Sequence, residues 1–236
     1  MATNELSLKL LIDIRAQKVC FAEAGNDVVE FLSTLLCLPV STVINLLTKE
    51  RMVGSIGNVL DSLQELDTKY VISSTRSKKL YVSPAVAPSV LHPLQPLLDV
   101  PLNVSDSFFT CHGKPGSYGT LVACGYFSAI KDTICHSCFK PMGVEMKHIK
   151  ADGLVPGTAT YTVMDVLSIT PASSVSSIAV LAQSGVKDLS TLQEKIVKIG
   201  KEEALEILLA SLKSKTVLTD VFLQKKKVRC KKETAA

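Results

Sequence analysis

"LSLKLLIDIRAQKVCFAEAGNDVVEFLSTLLCLPVSTVINLL", residues 6–47, decides the fold, because the period of its apolar residues changes halfway along. In the first part Leu8, Leu10 and Ile12 alternate with polar or flanking positions. "IRAQ" then supplies a turn and Val19–Ala22 returns, which is the pattern of a β-hairpin. Gly25-Asn26-Asp27 provides a break and a cap. From there Val28, Phe31, Leu32, Leu35 and Leu36 recur with the period of a helix. Pro39 ends that helix, and Ser41 is placed to cap the next, "TVINLLTKE". Beyond the glycines at 54 and 57, "NVLDSLQELD" reads as a third helix and "KYVIS" (69–73) as a strand. Two strands followed by helices indicate an α+β protein. The apolar run Val28–Leu47 is about as long as a membrane span. It holds Glu30, Ser33, Thr34, Asn45 and a central Pro39, so no membrane span is expected.

Working outward, five prolines (Pro84, Pro88, Pro93, Pro96 and Pro101) crowd the stretch after Ser83 and predict an extended connector. A cysteine-rich segment follows at 111–138. From Ala159 the opening pattern returns. "LLIDIR" is echoed by "YTVMDVL", "LPVSTVINLL" (38–47) by "TPASSVSSIAVL" (170–181), and "IGNVLDSLQELDTKYVIS" (56–73) by "IGKEEALEILLASLKSKTVLT" (199–219). The order suggests a divergent internal duplication. The expected organisation is a first α+β half (1–82), a proline-rich connector (83–104), a cysteine-rich zinc-ribbon-like insertion (105–150), a second α+β half packed with the first (151–223) and a basic tail (224–236). Within the second half, "KDLSTLQEKIVKIG" places Leu189, Leu192, Ile196 and Ile199 at helical spacing, with Ser190 as cap. Gly200 breaks it before "KEEALEILLASLKSK", a helix with Leu205, Leu208, Leu209 and Leu212 on one face. Glu203 and Glu206 are read as part of a solvated face.

The 236 residues are 47% hydrophobic and 20% charged, which fits a folded chain rather than a disordered one. Aromatics amount to 5% with no Trp, so the core rests on Leu, Val and Ile, and a nucleic-acid site of stacked aromatics is short of material. The net charge of +4 is concentrated in the tail. Lys225, Lys226, Lys227, Arg229, Lys231 and Lys232 stand there against Glu233 alone, a local +5 that leaves the rest of the chain at −1. A near-neutral body with a basic tail is not a basic nucleic-acid-binding domain. "MATNELSLKL" has no signal-peptide character, so a cytoplasmic or nuclear location is expected. Thiols stay reduced there, and clustered cysteines favour metal over disulfides.

"CHGKPGSYGTLVACGYFSAIKDTICHSC" (111–138) carries four of the seven cysteines. Cys135 and Cys138 form a Cys-x-x-Cys pair, whose two thiolates can point at one zinc ion from a tight turn. A closed tetrahedral site needs two more, and Cys111 and Cys124 are the candidates. They are too far apart for a single knuckle, but a hairpin at "GKPGSYG" would bring them side by side. His112 and His136 are reserve ligands. Two other readings stand beside structural zinc: ordinary buried thiols with an incomplete half-site, and a redox dithiol at Cys135-Cys138. The redox reading wants a helix after the pair, and "FKPMGVEM" is poor helix material. Cys20 and Cys37 are read as core residues, and Cys230 lies in the tail. No nucleophile elbow, phosphate loop or dinucleotide fingerprint is present. Neither His92 nor His148 has an evident acid partner, and Asp13, Glu23 and Asp165 would meet only if the two halves pair. The chain is therefore not expected to be an enzyme.

The blocks "LKLLIDIRAQKVCFAEAGNDVVEFLSTLLCLPVSTVINLL", "YTVMDVLSITPASSVSSIAVL" and "VKDLSTLQEKIVKIGKEEALEILLASLKSKTVLTDVFL" together resemble the plant-specific "domain of unknown function 674" family, in order and over nearly the whole chain. The resemblance implies an aromatic-x-Cys start and a later Cys-x-x-Cys or Cys-x-Cys-Gly turn followed by a Met, matched here by Phe109 with Cys111, then Cys135, Cys138 and Met142. At this point the family looks similar to a zinc ribbon. This chain departs from the tidier pattern by lacking a second Cys two residues after Cys111. The expected function is a non-enzymatic protein-interaction or scaffold role with a structural zinc-ribbon-like element. The alternative is nucleic-acid binding through the ribbon and the basic tail.

Overall fold

The structure, a computed structural model, describes residues 6–67, 70, 81–84, 107–116, 119–146 and 159–223. Apart from Tyr70, the strand expected at 69–73 lies outside the described residues, as do most of the connector at 83–104, residues 147–158 with His148, His92 and the tail at 224–236.

The hairpin at the start forms as its alternation requires. β1 (Ser7–Asp13) and β2 (Lys18–Ala24) are antiparallel around the Ile14–Gln17 turn, with Asp13 Oδ1 accepting from the Arg15 and Ala16 N–H groups. Leu11 opposes Phe21 while Ile12 opposes Val19, so Cys20 is the extra residue of a β-bulge. It is buried there, and burial pushes its thiol above the ordinary range.

The helical period that follows gives α1 (Asn26–Leu35), which buries Val28, Phe31 and Leu32. Each such side chain removed from water stabilises by about 1.5–3 kcal/mol. Leu36, assigned to the stripe, lies past the helix end and is exposed, and so is Cys37, which is not a core thiol. α2 (Val40–Leu47) starts directly after Pro39 with no side-chain cap, so Ser41 sits inside the helix rather than capping it. Pro39 itself occupies the cap position, with φ −59° and ψ 142°, and its carbonyl accepts the Val43 N–H at 3.0 Å. α1 and α2 meet at 105°, and no single helix among the described residues is long and apolar enough to cross a membrane. α3 (Ile56–Glu65) follows.

In the second half β8 (Tyr161–Met164) and β9 (Ile169–Pro171) form another hairpin, followed by α4 (Ser174–Gln183). The helix expected from Leu189 to Ile199 does not form. Asp188 Oδ1 accepts from the Ser190 N–H, a short 3-10 turn covers Leu189–Thr191, and β10 (Leu192–Lys198) runs on from it. The leucine and isoleucine spacing fits either period, and a seven-residue pairing with β1 settles it. α5 (Lys201–Lys213) and α6 (Val217–Phe222) close the described chain. Glu203 accepts from the Gly200 N–H at 3.2 Å and caps α5, while Glu206 binds Arg51 at 2.8 Å. On α5 the buried residues are Ala204, Ile207 and Leu208, and Leu212 is exposed.

Strands from both ends of the chain build one mixed-source sheet in the order β10-β1-β2-β8-β9. One face carries Leu8, Leu10, Ile12, Ala22 and Val163 into the core with α1, α5 and α6. The fold is therefore α+β with a shared sheet. Among the described residues of the first half β10 has no counterpart strand, so the echoed segments match there only in part.

Candidate metal centre

The middle segment is a separate small β structure. β3 (Phe108–Thr110) is flanked by β6 (Phe127–Ser128) and β7 (Val144–Met146), and β4 (Lys114–Pro115) pairs with β5 (Leu121–Val122). The β4–β5 pair closes with the Gly116 N–H donating to the Thr120 C=O at 2.7 Å. That hairpin returns the chain from Cys111 to Cys124. Gly113 makes it possible. Its φ is +90°, and an added Cβ would lie 2.4 Å from the Val122 carbonyl oxygen.

The second pair sits at the tip of another hairpin. The Asp132 N–H donates to Met142 C=O, Met142 N–H to Thr133 C=O, and Cys135 N–H to Lys140 C=O, at 2.9–3.0 Å. At the tip the Phe139 N–H returns to the Cys135 C=O at 2.8 Å, and the Ser137 N–H points at Cys135 Sγ at 3.4 Å. Amide groups cupping a sulfur in this way are what a Cys-x-x-Cys knuckle offers a thiolate. The chain turns at Phe139 with φ +56°, a left-handed conformation that glycine adopts without penalty.

The two hairpins bring Cys111, Cys124, Cys135 and Cys138 together, with all four sulfurs within 4.8 Å of one another. Cys111 and Cys135 are buried with Met142, and Phe109, Cys124 and Cys138 pack against them. The donor set suits zinc. Tetrahedral thiolate bonds of about 2.3 Å put sulfurs roughly 3.8 Å apart, so closure on an ion needs a contraction of no more than about 1 Å. None of the four is in a disulfide. His112 and His136 are exposed and outside the cluster, and His136 instead lies edge-on to Tyr126. No helix follows Cys138, the support a redox dithiol uses.

The thiols differ in acidity. The Cys138 N–H, aided by that of Ser137, draws the Cys135 thiol down to about 7 against the opposing effect of burial. Burial pushes Cys124 up to about 12, helped by the neighbouring Cys111 and Cys138 sulfurs. For Cys138 the Lys140 N–H favours the thiolate, but burial and the Cys111 and Cys135 sulfurs outweigh it, and the thiol is raised. Such a cluster holds its protons in part until a cation replaces them.

The carboxylates named from the sequence are all engaged structurally. Asp165 is buried, accepting from the Thr219 N–H and hydroxyl at 2.8 Å each. Glu23 pairs with Lys9, and Asp13 holds the β1–β2 turn. The sequence reading missed the aromatic surface around the cysteines. Six of the chain's 12 Phe and Tyr residues fall within 107–146. Of these Tyr126, Phe127 and Phe139 are exposed, and Phe108 stacks edge-on against Phe127 at 5.6 Å. Their local density was the available signal.

Compared with known proteins, the chain matches over residues 2–236 the family model described as "Protein of unknown function (DUF674)". No curated protein and no solved structure matches it.

Proposed function

The chain belongs to the DUF674 family, whose description assigns no activity, and we propose that its 107–146 segment is a zinc-braced recognition module serving a non-enzymatic, protein-binding role. Cys111, Cys124, Cys135 and Cys138 hold one structural zinc ion as a ribbon-like element. The ion fixes the two hairpins, and the fixed hairpins present Tyr126, Phe127 and Phe139 to a partner in the cytoplasm or nucleus. The sheet formed by the two ends of the chain, which descend from a duplicated unit, carries the module. The observation behind this reading is the convergence of the four sulfurs within 4.8 Å beside an exposed aromatic surface. Thiolate-only sites are closed, so the ion shapes the chain and leaves no position for a reacting water.

Zinc content of the full chain tests it. One ion per chain is expected, falling to well under half in Cys135→Ser and Cys138→Ser, and unchanged in Cys37→Ser. Protein refolded with zinc available but metal-free would end the reading. Nucleic-acid binding is the second reading, favoured by exposed Lys114, Lys131 and Lys140 among the aromatics. It requires affinity for single-stranded nucleic acid that falls steeply with salt and with loss of the basic tail. Salt-independent or absent binding removes it.

A further inference from the structure

The four clustered cysteines are not equally sheltered. Cys111 and Cys135 are 6% and 0% exposed and form the inner pair of the small core, whereas Cys124 and Cys138 are only partly buried. The outer pair comes from different hairpins, Cys124 just after β5 and Cys138 at the knuckle. Their sulfurs nonetheless lie within 4.8 Å of each other. A disulfide places its sulfurs about 2.05 Å apart, so pairing asks the two hairpins to close by less than about 3 Å. The same two cysteines lead into the exposed aromatics. Tyr126 and Phe127 follow Cys124, and Phe139 follows Cys138.

We propose that Cys124 and Cys138 form a peroxide-sensitive clip: hydrogen peroxide joins them as a disulfide, which expels the zinc ion and frees the aromatic surface that the ion fixes. The proposal rests on the zinc reading above. Zinc holds all four sulfurs as thiolates, the nucleophilic form, and the outer two are the ones open to a small oxidant. Either one attacks the peroxide O–O bond and becomes a sulfenic acid as hydroxide leaves. The other outer thiolate then attacks that sulfur, forming the S–S bond and expelling a second hydroxide. Two electrons pass from the sulfur pair to peroxide, and the two hydroxides take up two protons as water. With two ligands gone, Cys111 and Cys135 take up protons and Zn2+ departs. A dithiol reductant returns both sulfurs by exchange. A switch of this kind does not turn over, so it has no need of the helix that supports a catalytic dithiol. Cys20, buried in its bulge, and Cys37, beyond the end of α1, lie outside the cluster and do not compete.

The test uses the full, zinc-loaded chain carrying Cys37→Ser and Cys230→Ser, with a chromogenic chelator to report released zinc. One ion per chain is expected to leave for each peroxide consumed. Peptide mapping then finds Cys124 bonded to Cys138, and dithiothreitol with added zinc restores the bound ion. Amide exchange across 124–139 rises roughly tenfold or more in the oxidised chain. Cys124→His leaves three cysteines and one histidine, a set that still suits structural zinc, but removes the pairing thiolate, so it retains the ion roughly tenfold longer under the same peroxide. Cys138→His serves in its place where Cys124→His does not load. A reduced chain that binds no zinc overturns the zinc reading and this proposal with it. A loaded chain that keeps its ion in the time free cysteine takes to oxidise overturns this proposal alone. So does a map with Cys135 bonded to Cys138, or a loaded histidine variant that loses zinc as fast as its parent.

Discussion

Phe139 holds a backbone conformation that costs an L-residue about 1–2 kcal/mol relative to glycine, and its side chain is 77% exposed, so packing returns little of that cost. Strain retained at an exposed aromatic next to Cys138 points to use of the side chain. Phe139→Gly is accordingly expected to stabilise the knuckle by about 1 kcal/mol, read as roughly fivefold tighter zinc binding in competition with a chelator. If the proposed protein-binding role holds, the same variant binds its partner more weakly. Unchanged or weaker zinc binding would show that the turn is not strained. At this scale the sequence was partly legible. Cys-x-x-Cys declares itself by spacing, and Cys111 and Cys124 could be joined only by supposing the hairpin between them. The strain at Phe139 was hidden, because it follows from the hydrogen bonds that close the turn and not from the residue.

Among the elements, α6 is tied to two strands by one buried group of bonds. Thr219 donates through its N–H and hydroxyl to Asp165 at the end of β8, and its oxygen accepts the Val19 N–H of β2 at 2.9 Å. Burial raises the Asp165 carboxyl above its ordinary 3.8, outweighing the two bonds from Thr219. The unfolded chain therefore loses this proton at a lower pH than the folded one. Between those two pH values the folded chain binds more protons, so stability falls as pH rises, and the fall is complete once the folded carboxyl ionises. Asp165→Asn cannot ionise. Urea denaturation from pH 3.5 to 7 should show the variant gaining on the wild type as pH rises, whatever constant offset the lost acceptor introduces. Parallel curves would mean that Asp165 titrates normally. Sequence spacing placed Asp165 at a strand end but offered no view of Thr219, 54 residues on. The misreading of β10 has the same origin. Its apolar residues suit both periods, and the deciding partner, β1, lies at the far end of the chain.

For the whole molecule the division of labour follows from two cores that share no residue. One joins Leu8, Phe31, Val163, Ile207 and Leu218 among many others, and the second consists of Cys111, Cys135 and Met142 with three partly buried neighbours. No strand of the five-stranded sheet pairs with the three- or two-stranded sheets. A core of three buried side chains is far too small to hold 107–146 in shape by itself, so under the proposed zinc site the order of this segment depends on the ion. The large core has no such dependence. Stripping zinc from the full chain with a chelator should therefore raise amide exchange throughout 107–146 by orders of magnitude, while β1, β2, β8 and β10 keep their protection. Zinc added back should restore the module's protection, and magnesium should not, because hard cations prefer oxygen ligands to thiolates. If exchange in 107–146 ignores the chelator, the four cysteines are ordinary packed thiols. If the loss spreads to β1 and β2, the ion supports the whole fold and the two cores are coupled.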